Sequence, residues 1–125
     1  MSKVRFADSK ALALIRAGHP IPCLAVASFS GMLAIGLGLP PTNAVLVFFV
    51  VLMQQISVGL SNDWIDYKRD KVANRQDKPT VNGLVSVARL RTGSLIAAAL
   101  ALLSSFAMGL GSAVLMIVML AAGWA

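Results

Sequence analysis

The sequence is poor in acidic side chains and has a single cysteine. All five of its acids are aspartates, and it contains no glutamate. Only 13% of its 125 residues are charged, whereas soluble domains average about 25%. The one cysteine, Cys23, lies within an apolar segment, which excludes both a disulfide framework and a thiolate metal site.

Charged side chains are also missing from two long segments. None occurs between Arg16 and Asp63, and none follows Arg91. Hydrophobic residues make up 58% of the chain, and a membrane-spanning helix needs about 20 predominantly apolar residues. The sequence therefore predicts an all-α fold, a polytopic membrane helical bundle with three to four spans.

Prolines, glycines and charges divide the apolar sequence into segments. Pro40 and Pro41 end the first span because lipid cannot replace the hydrogen bonds that proline removes. The predicted segments are spans at residues 21–39, 43–61 and 92–110, a polar motif loop at 62–91, and an incomplete fourth span at 112–125. Since the last segment is shorter than a full span, we expect the chain to be the N-terminal part of a larger protein.

The eleven lysines and arginines flank the predicted spans unevenly. Four precede the first span, none lies in the Pro40-Pro41 link, and seven lie between Lys68 and Arg91. The positive-inside rule then places the N-terminus and the motif loop in the cytoplasm, which predicts a multi-pass protein of the cell inner or plasma membrane. The basic clusters lack the aromatic interleaving of single-strand binding, so no nucleic-acid partner is indicated.

Four of the five aspartates fall in one short segment. If the second predicted helix continues past Ser61, then Asp63, Asp66 and Asp70 share one face at i, i+3 and i+7. Only Asp66 has a partner at a good helical distance, Arg69, so at least two carboxylates remain unbalanced. Mg²⁺ is typically held by one or two carboxylates plus substrate phosphates. The spacing therefore favours a metal site at these three aspartates over the alternative, a solvated acidic face.

Other polar residues extend this segment in both directions. Gln55 and Gly59 continue a stripe toward the middle of the membrane, and Asn62 offers an amide to a phosphate or to a metal ligand. Arg75 and Lys78 supply cationic donors for phosphate oxygens, although both also contribute to the positive-inside signal. In the third span, small residues recur every fourth position and predict a close helix contact: Gly93, Ala97, Ala101, Ser105 and Gly109.

Residues 62–70 read NDWIDYKRD and resemble the NDxxDxxxD motif of the UbiA superfamily of intramembrane prenyltransferases. Downstream, Arg75, Lys78-Pro79 and the GLVS sequence at 83–86 are similar to the family's Arg…Arg-Pro…Gly-x-Ile-Ser segment. Lys78 lies where arginine is usual in the family. Lysine keeps the positive charge but lacks the two parallel N–H groups with which arginine binds two phosphate oxygens at once. The resemblance covers about residues 16–110.

The resemblance implies a bundle of about nine membrane helices in which Mg²⁺ and two aspartate motifs hold an isoprenyl diphosphate. The implied activity is transfer of the isoprenyl group to an aromatic or other acceptor within the membrane, as in quinone- or lipid-type biosynthesis. The implied diphosphate site consists of catalytic, metal-binding Asp63, Asp66 and Asp70 and of diphosphate-binding Asn62, Arg75 and Lys78. Arg16 and His19 are weaker candidates for contacting the acceptor.

The second family motif, DxxxD, is missing from residues 1–125, so we expect these residues alone to be inactive and the missing C-terminal half to be a partner. The patterns of CDP-alcohol phosphotransferases and of soluble isoprenyl diphosphate synthases are absent. The remaining alternative is a truncated, non-catalytic membrane fragment or small subunit whose basic loop binds a cation or anionic lipid.

Overall fold

The computed structural model describes residues 10–125, and these residues contain helices and no strand. The helices are α1 (Lys10–Ala17), α2 (Pro20–Gly36), α3 (Pro41–Ile65), α4 (Tyr67–Val72), α5 (Val87–Phe106) and α6 (Leu110–Trp124). Lys3 and Arg5, which contribute to the predicted orientation, lie outside the described residues. The predicted all-α membrane fold is confirmed.

Two of the helices, α3 and α5, are long and apolar enough to cross a membrane. The pair α1 and α2 passes the same test together, with a bend of 51° between the two helices. The fourth apolar helix, α6, has 15 residues, fewer than the about 20 that a crossing needs. By length and composition, the described helices thus include two that could span a membrane, or three if the bent pair is one span.

The helix boundaries differ from the predicted ones mainly where polar residues lie. α3 continues to Ile65 rather than ending at 61. α5 begins at Val87 rather than 92, because the Ser86 side chain accepts a hydrogen bond from the backbone N–H of Arg89 and caps the helix. α2 and α5 end earlier than predicted, at Gly36 and Phe106, since the chain turns soon afterwards at glycines with positive φ.

The central helix is α3, which packs against both α2 and α5. Ala97, Ala101 and Ser105 on α5 are buried, as expected for the predicted small-residue face. Gly109 instead lies in the turn before α6, with φ at 113°, and takes no part in this face. The close contact of α3 with α5 positions the polar end of α3 firmly relative to the rest of the bundle.

Polar side chains also join the helices. The Ser57 hydroxyl on α3 donates to the carbonyl oxygen of Ser94 on α5 at 2.8 Å. The same hydroxyl accepts a hydrogen bond from the indole N–H of Trp124 on α6 at 3.2 Å. Because an unpaired polar group in lipid is costly, this chain of hydrogen bonds stabilises the three-helix contact.

α1 and α2 are joined by Gly18 and His19, which we call the hinge. His19 has a left-handed backbone with φ at 51° and ψ at 61°, and Pro20 begins the next helix. The hinge lies directly on α3, where Gly59 is buried. A Cβ at Gly59 would lie 2.9 Å from the carbonyl oxygen of Gly18, so this approach requires glycine. The contact fixes the position of His19.

Candidate functional site

A polar cavity of about 170 Å³ lies at the end of the bundle where α3 ends. Its walls come from α1, the hinge, α3 and the loop that follows α4. The charged and polar side chains that line it are Arg16, His19, Asp63, Asp77, Lys78 and Asn82. The cavity therefore brings together one of the predicted metal ligands, one of the predicted phosphate-binding cations and both candidate acceptor-contacting residues.

Asp63 and Lys78 form an ion pair on the wall of this cavity. The Lys78 ammonium donates to Oδ1 of Asp63 at 2.6 Å, and the Asp63 side chain is only 2% exposed. Asp63 lies on the last turn of α3, whereas Lys78 comes from the loop, so the pair joins two separate segments. Removal of Lys78 would leave the buried charge of Asp63 uncompensated and would be strongly destabilising.

The other two predicted metal ligands lie in different surroundings. Asp66 occupies the break between α3 and α4 and pairs with Arg69 at 2.8 Å, the pairing that their spacing favours. Asp70 is buried, at 7% exposure, and forms no ion pair with the described residues.

The three aspartates expected on one helical face differ in burial and in partners. Among residues 10–125, no three His, Cys, Asp or Glu side chains are grouped closely enough to hold a metal ion. The helical assignment is interrupted at Asp66, between the end of α3 at Ile65 and the start of α4 at Tyr67, although the Asp66 backbone keeps right-handed helical angles. A single carboxylate, Asp63, lines the cavity from this face. The assignment of all three as metal ligands stays a prediction.

Arg75 is paired with Asp77. Its Nε and Nη2 atoms donate to the two carboxylate oxygens of Asp77 at 2.9 and 2.8 Å. The hydrogen bonds from Arg75 hold the pKa of Asp77 below its usual value, and they raise the pKa of Arg75. Both side chains are well exposed, so solvent weakens the pair. Arg75 does not line the polar cavity, whereas Asp77 does.

Asn62 is exposed and lies outside the lining of the polar cavity. Gln54 is buried on α3, and its Oε1 accepts a hydrogen bond from Nε2 of Gln55 at 2.8 Å. Sequence reasoning missed Asn82, whose side-chain oxygen accepts from the backbone N–H of Leu84 at 3.1 Å. The Asn82-Gly83 sequence signals a turn, but nothing in it indicates that the turn would form part of a cavity wall.

One side chain of the cavity wall, Asp63, has the chemistry of a ligand for a hard divalent cation. Asp63 supplies a buried carboxylate on the cavity wall, whereas Asn62 and Asp66 of the same segment lie outside the cavity lining. Carboxylate and amide oxygens are ligands that Mg²⁺ accepts, together with waters and substrate phosphates. Lys78 occupies Oδ1 of Asp63, so a cation that binds this oxygen competes with the lysine.

Comparison with known proteins identifies the family. Neither the curated proteins nor the solved structures include a match to the chain. A sequence model of the UbiA prenyltransferase family, in contrast, matches residues 21–125. This range contains α2 to α6 together with the buried Asp63 and its partner Lys78. The chain therefore belongs to the UbiA prenyltransferase family.

Proposed function

We propose that this membrane protein takes part in the Mg²⁺-dependent transfer of an isoprenyl group from an isoprenyl diphosphate to an aromatic or other acceptor within the membrane. Membership of the family supports a prenyltransferase-type function in general. The observation that carries the finer proposal is the buried Asp63–Lys78 pair on the wall of a polar cavity. There the carboxylate of Asp63, which can bind a cation, contacts the ammonium of Lys78, which can bind phosphate oxygens.

The diphosphate is expected to bind in the polar cavity. Asp63 would hold the metal ion, Asn62, Asp66 and Asp70 of the same motif are proposed as further ligands, and Lys78 and Arg75 would bind phosphate oxygens. Bound Mg²⁺ would neutralise charge on the departing diphosphate. Lys78 adds a positive charge next to the same oxygens, where a site with little water strengthens its effect.

A second cavity offers space for the isoprenyl chain. It has a volume of about 330 Å³ and lies between α3 and the bent pair of α1 and α2. Its lining is almost wholly apolar and includes Leu14, Ile56 and Leu60. Gly18 of the hinge lines this apolar cavity, and the neighbouring His19 lines the polar one. A ligand with a charged head and an apolar tail matches this arrangement.

The acceptor is expected to approach from the side of Arg16 and His19. Both line the polar cavity, and they belong to the α1 and hinge segments, whereas Lys78 belongs to the loop. Arg16 provides a fixed positive charge, and the imidazole of His19 can donate or accept a hydrogen bond. Ionisation of the diphosphate leaves an allylic cation, and the apolar walls protect it from water.

The proposal is tested by binding of geranyl diphosphate to the chain in lipid nanodiscs, measured by equilibrium dialysis. We expect saturable binding in Mg²⁺ that weakens at least about tenfold when EDTA removes the metal, since charge-assisted contacts are worth a few kcal/mol. Geraniol, which has the same apolar chain and no diphosphate, is the control and should not respond to EDTA. Binding of geranyl diphosphate that is equally tight in EDTA would contradict the proposal.

The proposed orientation places the loop at 73–86 in the cytoplasm and the link between α2 and α3 on the opposite side. Ala73 and Thr42 are both exposed, so each can carry a reporter cysteine in a Cys23→Ala background. We expect a membrane-impermeant maleimide to label Ala73→Cys only after cells are opened and to label Thr42→Cys in intact cells. The reverse pattern would show that the orientation is wrong.

A further inference from the structure

The partner of Asp63 occupies an oxygen that a metal ion would use. Lys78 Nζ lies 2.6 Å from Oδ1 of Asp63, and the lysine side chain is 21% exposed. The described residues contain two other ion pairs, Arg69–Asp66 and Arg75–Asp77, and both are more exposed and join residues close in sequence. The Asp63–Lys78 pair alone among these three joins the end of α3 to the distant loop.

The loop presents Lys78 from a hydrogen-bonded turn. The backbone N–H of Lys78 donates to the carbonyl oxygen of Arg75 at 3.0 Å, and its own carbonyl oxygen accepts from Val81 and Asn82 at 3.1 Å. These contacts fix the backbone at Lys78 and involve none of its side-chain atoms. An exchange of partners by the ammonium therefore need not break these backbone hydrogen bonds.

The charges in the cavity favour such an exchange. Its described lining carries two cations, Arg16 and Lys78, and two carboxylates, Asp63 and Asp77. These four formal charges cancel, and the one further cation at Asp77, Arg75, lies outside the lining, so the cavity offers only weak net attraction to a multiply charged anion. A divalent cation on Asp63 would make the cavity attractive to such an anion, because it adds positive charge and also releases the ammonium of Lys78.

We propose that Lys78 is a resident counter-ion of Asp63 that competes with the divalent cation for this carboxylate and moves to the phosphate oxygens when the diphosphate binds. This inference rests on the proposed function, because the diphosphate is the anion that receives the lysine. Lys78 keeps the buried carboxylate neutralised before the metal arrives. It thereby couples the binding of metal to the binding of the anion.

Two variants separate this role from a merely structural one. Lys78→Met keeps the apolar stem and removes the charge, and Lys68→Met removes the same charge from an exposed position. Mn²⁺ serves as the probe, and its binding to the chain in nanodiscs is measured by electron paramagnetic resonance. Without diphosphate, we expect Lys78→Met to bind Mn²⁺ about tenfold more tightly than the unmodified chain, since close charge pairs couple by more than 1.4 kcal/mol.

The same variant should have the opposite effect on the anion. With Mn²⁺ saturating, we expect Lys78→Met to bind inorganic diphosphate about tenfold more weakly, because one charged partner of the phosphate oxygens is lost. Lys68→Met should change the affinity for Mn²⁺ and the affinity for inorganic diphosphate by no more than about twofold, because solvent and salt screen an exposed charge. Unchanged or weaker Mn²⁺ binding by Lys78→Met would overturn the inference.

A measurement on the unmodified chain avoids any question of whether Lys78→Met folds. An amine-reactive reagent followed by peptide mass spectrometry reports how fast each lysine is labelled. We expect labelling of Lys78 to rise several-fold when Mg²⁺ is added, because its ammonium leaves Asp63, and to fall again with inorganic diphosphate. The labelling rate of Lys68 should not change under either condition. If saturating Mg²⁺ leaves the labelling rate of Lys78 unchanged, the inference is overturned, whether or not Lys78→Met folds.

The two proposals fail in different ways. If the unmodified chain binds no divalent cation with or without diphosphate, both the proposed function and the competition by Lys78 are wrong. If Mg²⁺-dependent binding of geranyl diphosphate is observed but neither the affinity for Mn²⁺ nor the labelling of Lys78 responds as described, only the role of Lys78 is wrong.

Discussion

Asp63→Asn is expected to weaken Mg²⁺-dependent binding of geranyl diphosphate by about 10²-fold, because truncating one partner of a buried charge pair costs 2–5 kcal/mol. Asparagine has nearly the same volume as aspartate, and its side-chain oxygen can still accept the hydrogen bond from Lys78. The cavity therefore keeps its shape and loses only the negative charge. The affinity is measured by equilibrium dialysis of the chain in nanodiscs at several Mg²⁺ concentrations.

Asp77→Asn is the matched comparison for this experiment. Asp77 lines the same cavity, but its carboxylate is exposed and already bound by Arg75. Solvent screens such a pair, so we expect a loss of about threefold or less. Asp66→Asn should fall between the two, since the Asp66 side chain is partly exposed. Equal losses for Asp63→Asn and Asp77→Asn would show that the buried carboxylate is not the principal metal ligand.

Gly59→Ala is expected to produce the largest change in stability. The new methyl carbon would lie 2.9 Å from the carbonyl oxygen of Gly18 and 3.2 Å from its carbonyl carbon. These are backbone atoms, which cannot rotate away as a side chain does, so α3 and the hinge must separate. Overpacking of this kind costs about 1–3 kcal/mol. The apparent unfolding temperature, followed by size-exclusion chromatography after heating, should therefore fall by several degrees.

Gly111→Ala provides the control for that variant. Gly111 also lies in a helix, α6, but a Cβ there would have nothing within 4 Å. An alanine at such a position typically stabilises a protein by about 0.4–1 kcal/mol. Because the hinge borders both cavities, Gly59→Ala should also weaken binding of geranyl diphosphate at temperatures where the chain is folded. A Gly59→Ala variant as stable as Gly111→Ala would show that the hinge does not rest tightly on α3.

Much of the fold could be predicted because the presence of a membrane helix depends mainly on the amino-acid composition of its segment. The uncharged segments before Asp63 and after Arg91 indicate apolar helices regardless of detailed packing. The boundaries were harder to predict, because they depend on local polar contacts. The Ser86 cap begins α5 earlier than its apolar sequence suggests. His19-Pro20 signals the start of α2, but the sequence does not reveal the bend of 51° between α1 and α2.

The site was only partly predictable, for a related reason. Helical spacing correctly favours the pairing of Asp66 with Arg69, because both residues belong to one local segment. It cannot reveal that Lys78, in a loop, reaches the buried Asp63, since that contact depends on how the loop folds over the bundle. Spacing likewise cannot reveal that Asp63 and Asp70 are buried while the side chain of Asp66 is partly exposed, since burial depends on the surrounding elements.

The two tryptophans of the chain stand edge to face, with ring centroids 5.7 Å apart and planes at 88°. Trp64 directly follows Asp63, and Trp124 lies near the end of α6. Two indoles this close couple their strong electronic transitions, which gives a far-ultraviolet exciton dichroism that an isolated ring lacks. The protein thus carries a native optical reporter one residue from its buried carboxylate, and that signal registers both the docking of α6 and any movement at Asp63 without an attached dye.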